Sequence, residues 1–157
     1  MGEANVVSGH GGELVILGLG SCIGVALLDR RARVAGLAHV VLPEMFATSI
    51  SPAGVADWVV RALLSALRSA GADPGRMEAV LVGGAYTYTS PMFVDIGRRN
   101  EAAVRELLAL DRIPVRAADT GGTCARVIRV RSDPGTVESR VSGSQDWTLL
   151  SGPGPAS

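Results

Sequence analysis

The segment LGLGSCIGVALLD, residues 17–29, places one cysteine after a pair of glycines inside an apolar run that carries no charge until its last residue. Gly18 and Gly20 allow the backbone to bend tightly and leave amide groups uncovered, so Cys22 is expected to follow a loop. A cysteine in such a run is either a small buried hydrophobe or an exposed nucleophile. The surrounding sequence must decide between these two interpretations.

Length and composition predict one globular domain. The chain has 157 residues, of which 47% are hydrophobic and 19% charged, enough apolar material for a core. Fifteen basic residues, all arginine and in no block, balance fifteen acidic ones, which argues against nucleic-acid binding. We expect a flexible N-terminus over residues 1–12, a folded domain over 13–141 and a flexible Gly/Ser/Pro-rich tail over 142–157.

The longest apolar stretch does not predict membrane insertion. Residues 14–28 are short for a membrane span and lack the positive flank of a signal peptide. The protein is therefore expected in the cytoplasm. Because disulfides are rare in that compartment, Cys22 and Cys124 are both expected to be reduced thiols.

Hydrophobic periodicity predicts strands at both ends of the domain and two helices between them. The predicted strands are residues 14–17, 22–28, 33–42, 77–82, 113–117, 126–131 and 136–141. The predicted helices are residues 52–71, with Ser51 as a cap, and residues 99–110. The apolar face of the first helix is predicted to contain Val55, Trp58, Val59, Ala62, Leu63 and Ala66. This pattern favours a single layered α/β domain with a mixed, largely antiparallel sheet and two main helices.

One histidine lies where it can meet Cys22. On the strand 33–42, His39 shares a face with Ala35, Leu37 and Val41, which is also the pattern of a core histidine. A hairpin that joins this strand to that of Cys22 brings their far ends together. An adjacent imidazolium lowers the pKa of a thiol and populates the nucleophilic thiolate.

Other chemistries have weaker support in the sequence. Gly18 and Gly20 begin a GxGxxG pattern, but Ile23 occupies the third glycine position and a strand follows instead of a phosphate-binding helix. Cys124, in DTGGTCAR, has no second histidine to serve it, since His10 lies in the N-terminal segment. No cysteine and histidine spacing predicts a metal site.

Five motifs occur in a specific order: GLGSC at 18–22, AHVVLP at 38–43, VGGA at 82–85, IGRRN at 96–100 and DTGGT at 119–123. Together they resemble the CheD family of chemoreceptor glutamine deamidases over residues 14–130. The resemblance implies a CheD-like fold, Cys22 as nucleophile and His39 as its partner. The family's third residue, a threonine six places before the cysteine, corresponds to Ile16, which cannot hydrogen-bond the imidazole.

The resemblance also implies a reaction and its partners. Family members deamidate glutamines on chemotaxis receptors and hydrolyse glutamate methyl esters there, without a cofactor. The backbone amides of Ser21 and Cys22 are our candidates for oxyanion donors. An alternative is a non-catalytic regulator that binds receptors or a CheC-type phosphatase, and Ile16 is the feature that favours it.

Overall fold

The computed structural model describes residues 2–41, 52–86 and 96–154. Within these ranges the strands are β1 (Glu3–Ser8), β2 (Glu13–Leu19), β3 (Ile23–Asp29), β4 (Val34–Val40), β5 (Glu78–Gly83), β6 (Val115–Thr120), β7 (Arg126–Arg131), β8 (Thr136–Val141) and β9 (Thr148–Ser151). The helices are α1 (Pro52–Ser69) and α2 (Ile96–Leu110). The predicted helix cap, Ser51, lies outside the described residues.

The strands divide between two sheets. The larger sheet has the order β1-β4-β3-β5-β6 and the smaller one β2-β7-β8-β9. Neighbouring strands are antiparallel, apart from the parallel pair β5 and β6. The structure thus confirms the predicted α/β class with largely antiparallel pairing, and it adds the division into two sheets.

β3 lies at the centre of a three-layer arrangement, and all seven of its residues are buried. Ile23, Val25 and Leu27 pack in the cluster that contains α1 and α2, whereas Ala26 and Leu28 face the smaller sheet. A strand covered on both faces needs an unbroken apolar sequence, which explains the uncharged run around Cys22. We call the layer between the two sheets the inter-sheet layer; its buried residues are Leu19, Ala26, Leu28, Ala35, Leu37, Val80, Val82, Ile128, Val130 and Val137.

The predicted apolar face of α1 is partly wrong. Trp58 is 63% exposed, and Ala62 and Ala66 are exposed as well. The face that covers the larger sheet consists of Ala56, Val59, Val60, Leu63, Leu64 and Leu67. The helix carries two overlapping stripes at helical spacing, and the stripe with more leucine buries more apolar area.

The expectation of flexible ends missed two strands. β1 pairs with β4 from Glu3↔His39 to Ser8↔Val34, and β9 pairs with β8 at the edge of the smaller sheet. Both strands lie at an edge, where one face is solvated and polar residues are tolerated. Their mixed composition therefore resembles a loop, although the backbone is hydrogen-bonded.

A buried carboxylate fastens the end of β3 to the turn that precedes β5. Asp29 accepts hydrogen bonds from the backbone N–H groups of Ala32 (3.1 Å) and Asp73 (2.8 Å) and from the Arg76 guanidinium (2.8 and 3.2 Å). Burial alone would raise the pKa of Asp29, but the hydrogen bonds from Arg76 and the two backbone groups outweigh it and lower that pKa. The ionised form is thus the one that the fold stabilises.

We predict that Asp29→Asn lowers the free energy of unfolding by roughly 1–3 kcal/mol, because the NH₂ of a buried amide cannot accept hydrogen bonds from Arg76 or the two backbone N–H groups. Since the folded pKa is lowered, the stabilisation is complete above the ordinary value of 3.8 and is lost as pH falls through the folded pKa. Urea titrations of both proteins at several pH values measure this effect. The control is Asp57→Asn, which removes an exposed ion pair with Arg61; an equal loss in that protein would contradict the prediction.

Candidate functional site

The segment Gly20–Cys22 crosses from the smaller sheet to the larger one, and three successive carbonyl groups hold it in place. The Ala85 N–H donates to the Gly20 carbonyl and the Gly84 N–H to the Cys22 carbonyl, each at 2.8 Å. Between them, Asn100 Nδ2 donates to the Ser21 carbonyl, also at 2.8 Å. Cys22 therefore lies on a crossover loop whose backbone is fixed from one side, as expected from the glycines before it.

The anchored carbonyl groups determine where the amide groups of this loop point. In a trans peptide the C=O and the following N–H point in opposite directions. The N–H groups of Ser21 and Cys22 therefore point away from Ala85 and Asn100, the donors that hold the preceding carbonyl groups. Two amides held in a fixed direction are the kind of groups that can stabilise a developing oxyanion.

Glycines make this close approach possible. A Cβ on Gly83 would lie 2.2 Å from the Cys22 carbonyl oxygen, and a Cβ on Gly97 would lie 2.4 Å from the Gly84 carbonyl oxygen. Gly83 also has a positive φ of 116°, which side chains rarely allow. The glycines of VGGA and IGRRN thus have a backbone role, because their lack of a side chain lets these segments approach each other and the Cys22 loop.

The DTGGT motif packs against the same segment. The Gly121 N–H donates to the Gly83 carbonyl (3.0 Å), and the Tyr86 N–H donates to the Gly122 carbonyl (2.7 Å). Three motifs that are far apart in sequence therefore support the loop that carries the fourth, GLGSC.

Sequence reasoning missed Asn100. Its side chain lies on the buried face of α2 and is 1% exposed. A signal was present, because Asn100 precedes the buried Ala103 and Val104 by three and four residues, so it belongs to the same helical face. A polar residue on an apolar helix face needs a buried partner, and here that partner is the Ser21 carbonyl.

His39 lies on β4 and faces the inter-sheet layer, as the alternation with Leu37 predicts. Its Cα is paired with Gly24 on one side and with Glu3 on the other. Burial lowers the pKa of His39, and the negative charge of Glu3 opposes part of that effect. Its Nε2 is buried, and no described residue gives it a hydrogen-bond partner.

Cys22 and His39 lie on the same face of the larger sheet. Cys22 directly precedes β3 and packs against the inter-sheet layer, on the same side as Gly24 because side chains alternate along a strand. Gly24 is directly opposite His39, so no side chain separates the two positions along the strand. Such diagonal neighbours have Cα atoms about 7–8 Å apart, which is within reach of a thiol and an imidazole.

Ile16 reaches the same layer from the opposite sheet. It lies on β2 and packs with the inter-sheet cluster. A cavity of about 70 Å³ opens beside it, lined by Glu3, Asn5, Leu14, Val15, Ile16, Leu37 and His39. The structure thus brings Cys22, His39 and Ile16 to one layer, with a hydrocarbon group where the resemblance implies a hydroxyl.

The remaining cysteine and histidine lie elsewhere. Cys124 is exposed on the loop between β6 and β7, and His10 contacts Asp133 through Nδ1. Neither of the two lines the cavity beside His39. Among the described residues there is no group of three or more His, Cys, Asp or Glu arranged to hold a metal ion. The described helices include none with the length and apolar character to cross a membrane.

A cysteine on an anchored loop and a half-buried imidazole on the same face are the types of group that thiol hydrolases use. Comparison with known proteins identifies the family. The sequence model of the CheD family, described as CheD chemotactic sensory transduction, matches residues 41–141. The chain belongs to the CheD family.

Individual relatives are similar over most of their length. The probable chemoreceptor glutamine deamidase CheD of Moorella thermoacetica is 41% identical over 138 residues, which cover 84% of this chain and 83% of the relative. The protein named chemoreceptor glutamine deamidase CheD from Thermotoga maritima is 38% identical over 132 residues, covering 84% and 83%. A Clostridium novyi relative, also named a probable CheD deamidase, is 36% identical over 136 residues, covering 83% and 84%.

We predict that Asn100→Ala loosens the Cys22 loop. The Ser21 carbonyl would lose its buried donor, which should lower the free energy of unfolding by roughly 1–3 kcal/mol and change the alkylation rate of Cys22 but not of Cys124. Iodoacetamide labelling with peptide mapping gives both rates in one sample. The exposed neighbour Arg99 provides the control, Arg99→Ala, and an unchanged Cys22 rate in the Asn100 variant would show that this bond does not position the thiol.

Proposed function

We propose that this protein deamidates glutamine side chains of chemotaxis receptors to glutamate, with Cys22 as the nucleophile and His39 as its proton carrier. The observation that carries the proposal is the anchored loop that puts Cys22 on the same inter-sheet face as His39. The names of the CheD relatives supply the substrate class. Receptor glutamines of this kind lie in the cytoplasm, so we assign the chain to that compartment.

The protonation state of His39 suits the first step. Because burial lowers its pKa, the imidazole is neutral at neutral pH and has a lone pair for the thiol proton. Transfer of that proton gives a thiolate beside an imidazolium, and the attraction between the two charges stabilises the pair.

Acyl transfer then proceeds in two halves. The Cys22 thiolate attacks the glutamine carboxamide carbon, and the His39 imidazolium protonates the nitrogen, which leaves as ammonia when the C–N bond breaks. In the second half, water gives a proton to His39 and its oxygen attacks the thioester carbon. The C–S bond breaks, the thiol regains its proton, and glutamate is released. One water is consumed for each ammonia formed, and no cofactor takes part.

The amides of Ser21 and Cys22 are the proposed oxyanion donors in both halves. Their fixed direction avoids reorganisation when charge develops, and loss of one such donor typically costs about a hundredfold or more in rate. A glutamate methyl ester has the same carbonyl geometry, with methanol as the leaving group in place of ammonia. We therefore include ester hydrolysis in the proposed activity.

A non-catalytic regulator is the second candidate. Ile16 supplies no hydrogen bond to His39, and Nε2 of His39 has no partner in the described part of the chain. On this hypothesis the chain binds receptors, or a CheC-type phosphatase, without turnover. Binding that persists in Cys22→Ala, together with no deamidation by any variant, would favour it.

We predict that Cys22→Ala and His39→Ala each abolish deamidation while the fold is retained, and that the double variant is no worse than either one, because the two groups act as a unit. Receptor cytoplasmic fragments are incubated with each protein, and ammonia release and the amide-to-acid mass change are measured. Cys124→Ala is the matched control and should keep full activity. Turnover by the Cys22→Ala protein would eliminate thiol catalysis.

We further predict that Ile16→Thr raises the deamidation rate by roughly ten to a hundredfold, the effect of one well-placed hydrogen bond to His39. Threonine keeps the β-branched shape that suits β2. Rates of both proteins on one receptor fragment, with a thermal melt as the folding check, measure the effect. An equal or slower rate in a folded variant would indicate that another group orients His39.

A further inference from the structure

The first strand gives His39 an acidic neighbour that the family resemblance does not predict. β1 pairs with β4 so that Glu3 is directly opposite His39, and both residues line the cavity that also contains Ile16. We propose that Glu3 is a positioning residue of His39 in this chain and supplies part of the role of the hydroxyl absent at position 16, so that a hydroxyl introduced by Ile16→Thr would still add to it. This inference rests on the proposed function, because it assigns a partner to the proton carrier of that reaction.

The pairing places the carboxylate near the imidazole, although Glu3 does not hydrogen-bond Nε2 of His39 in the structure. Residues directly opposite each other in an antiparallel pair have Cβ atoms about 4.5–5.5 Å apart, and a glutamate extends its oxygens by two further carbon atoms. Glu3 is exposed at the sheet edge, so its side chain can turn. The cavity of about 70 Å³ provides room for the carboxylate beside the ring.

The other walls of the cavity contain few groups that can form a hydrogen bond with His39. β2 contributes Leu14, Val15 and Ile16, and the neighbouring residue on β4 is Leu37. The other polar side chain in the lining is Asn5, which is paired with Leu37 and not with His39. Since the buried Nε2 has no partner within the described ranges, Glu3 is the acceptor closest in register.

A carboxylate in this position has a defined chemical effect. It accepts a hydrogen bond from one imidazole N–H, which fixes the tautomer and leaves the other nitrogen for the thiol. It also stabilises the imidazolium that forms when Cys22 loses its proton. The groups that face His39 from the packed strands are Glu3 on β1, hydrocarbon side chains on β2 and the Cys22 thiol beside β3, so Glu3 is the acidic group among them.

The test compares Glu3→Gln with Glu106→Gln, which removes the same charge from the exposed face of α2. Three quantities are measured: the pKa of His39 by NMR titration, with His10 assigned through His10→Gln; the iodoacetamide rate of Cys22 relative to Cys124 as a function of pH; and deamidation of a receptor fragment. The first two need no substrate. Because Glu3 is exposed, the isosteric change should leave the thermal melt unchanged.

We expect Glu3→Gln to lower the pKa of His39, slow Cys22 alkylation at neutral pH and reduce deamidation by roughly ten to a hundredfold, whereas Glu106→Gln changes none of these. Glu3→Asp should retain part of the effect. Adding Ile16→Thr to Glu3→Gln should restore much of the lost rate, since the hydroxyl then supplies the missing acceptor.

Two outcomes overturn the inference. In the first, Glu3→Gln matches Glu106→Gln in the pKa of His39 and in the Cys22 alkylation profile. In the second, the pKa falls but alkylation, deamidation and rescue by Ile16→Thr show no change, which would make Glu3 only a distant charge. If no protein deamidates the receptor fragment, the proposed function fails, while the pKa and alkylation measurements still decide the role of Glu3.

Discussion

The contact between Gly83 and the Cys22 carbonyl is the constraint on which the rest of the site depends. A single added carbon atom on Gly83 would lie 2.2 Å from that oxygen, so the end of β5 and the start of β3 can meet only through bare backbone. Once they meet, the neighbouring carbonyl groups of Gly20 and Ser21 find donors on the segment after β5 and on α2. The direction of the amides follows from that docking, because peptide planarity leaves them no other orientation.

This docking also explains why the site belongs to the inter-sheet layer and not to the helical side of the molecule. α2 supports the loop from behind, through Asn100, and the thiol lies on the opposite face of β3. The smaller sheet then provides the wall that contains Ile16, and the edge strand β1 provides Glu3. Each chemical group comes from a different element, so its placement depends on pairing register more than on local sequence.

Because the groups of the site come from different elements, the sequence could predict only some of them. The hairpin of Cys22 and His39 was predictable, because both strands are strongly apolar and adjacent in the chain. The helices were found from periodicity, although two competing stripes on α1 led to the wrong choice at Trp58. Glu3 was missed because a single edge strand with one solvated face has no regular pattern. The spacing of Asn100 on the apolar face of α2 indicates that it needs a buried partner, but it does not indicate which one. The pairing of β2 with β7 joins residues such as Glu13 and Arg131, and no local signal specifies it.

That long-range pairing has a consequence for how the protein is made. β2 leaves the ribosome early, yet its hydrogen-bonding partner follows more than one hundred positions later along the chain. Closing so large a loop has an entropic cost, and β2 can complete its pairing only after residues 126–131 have left the ribosome. The thiol and the imidazole would acquire their final surroundings among the last events of folding.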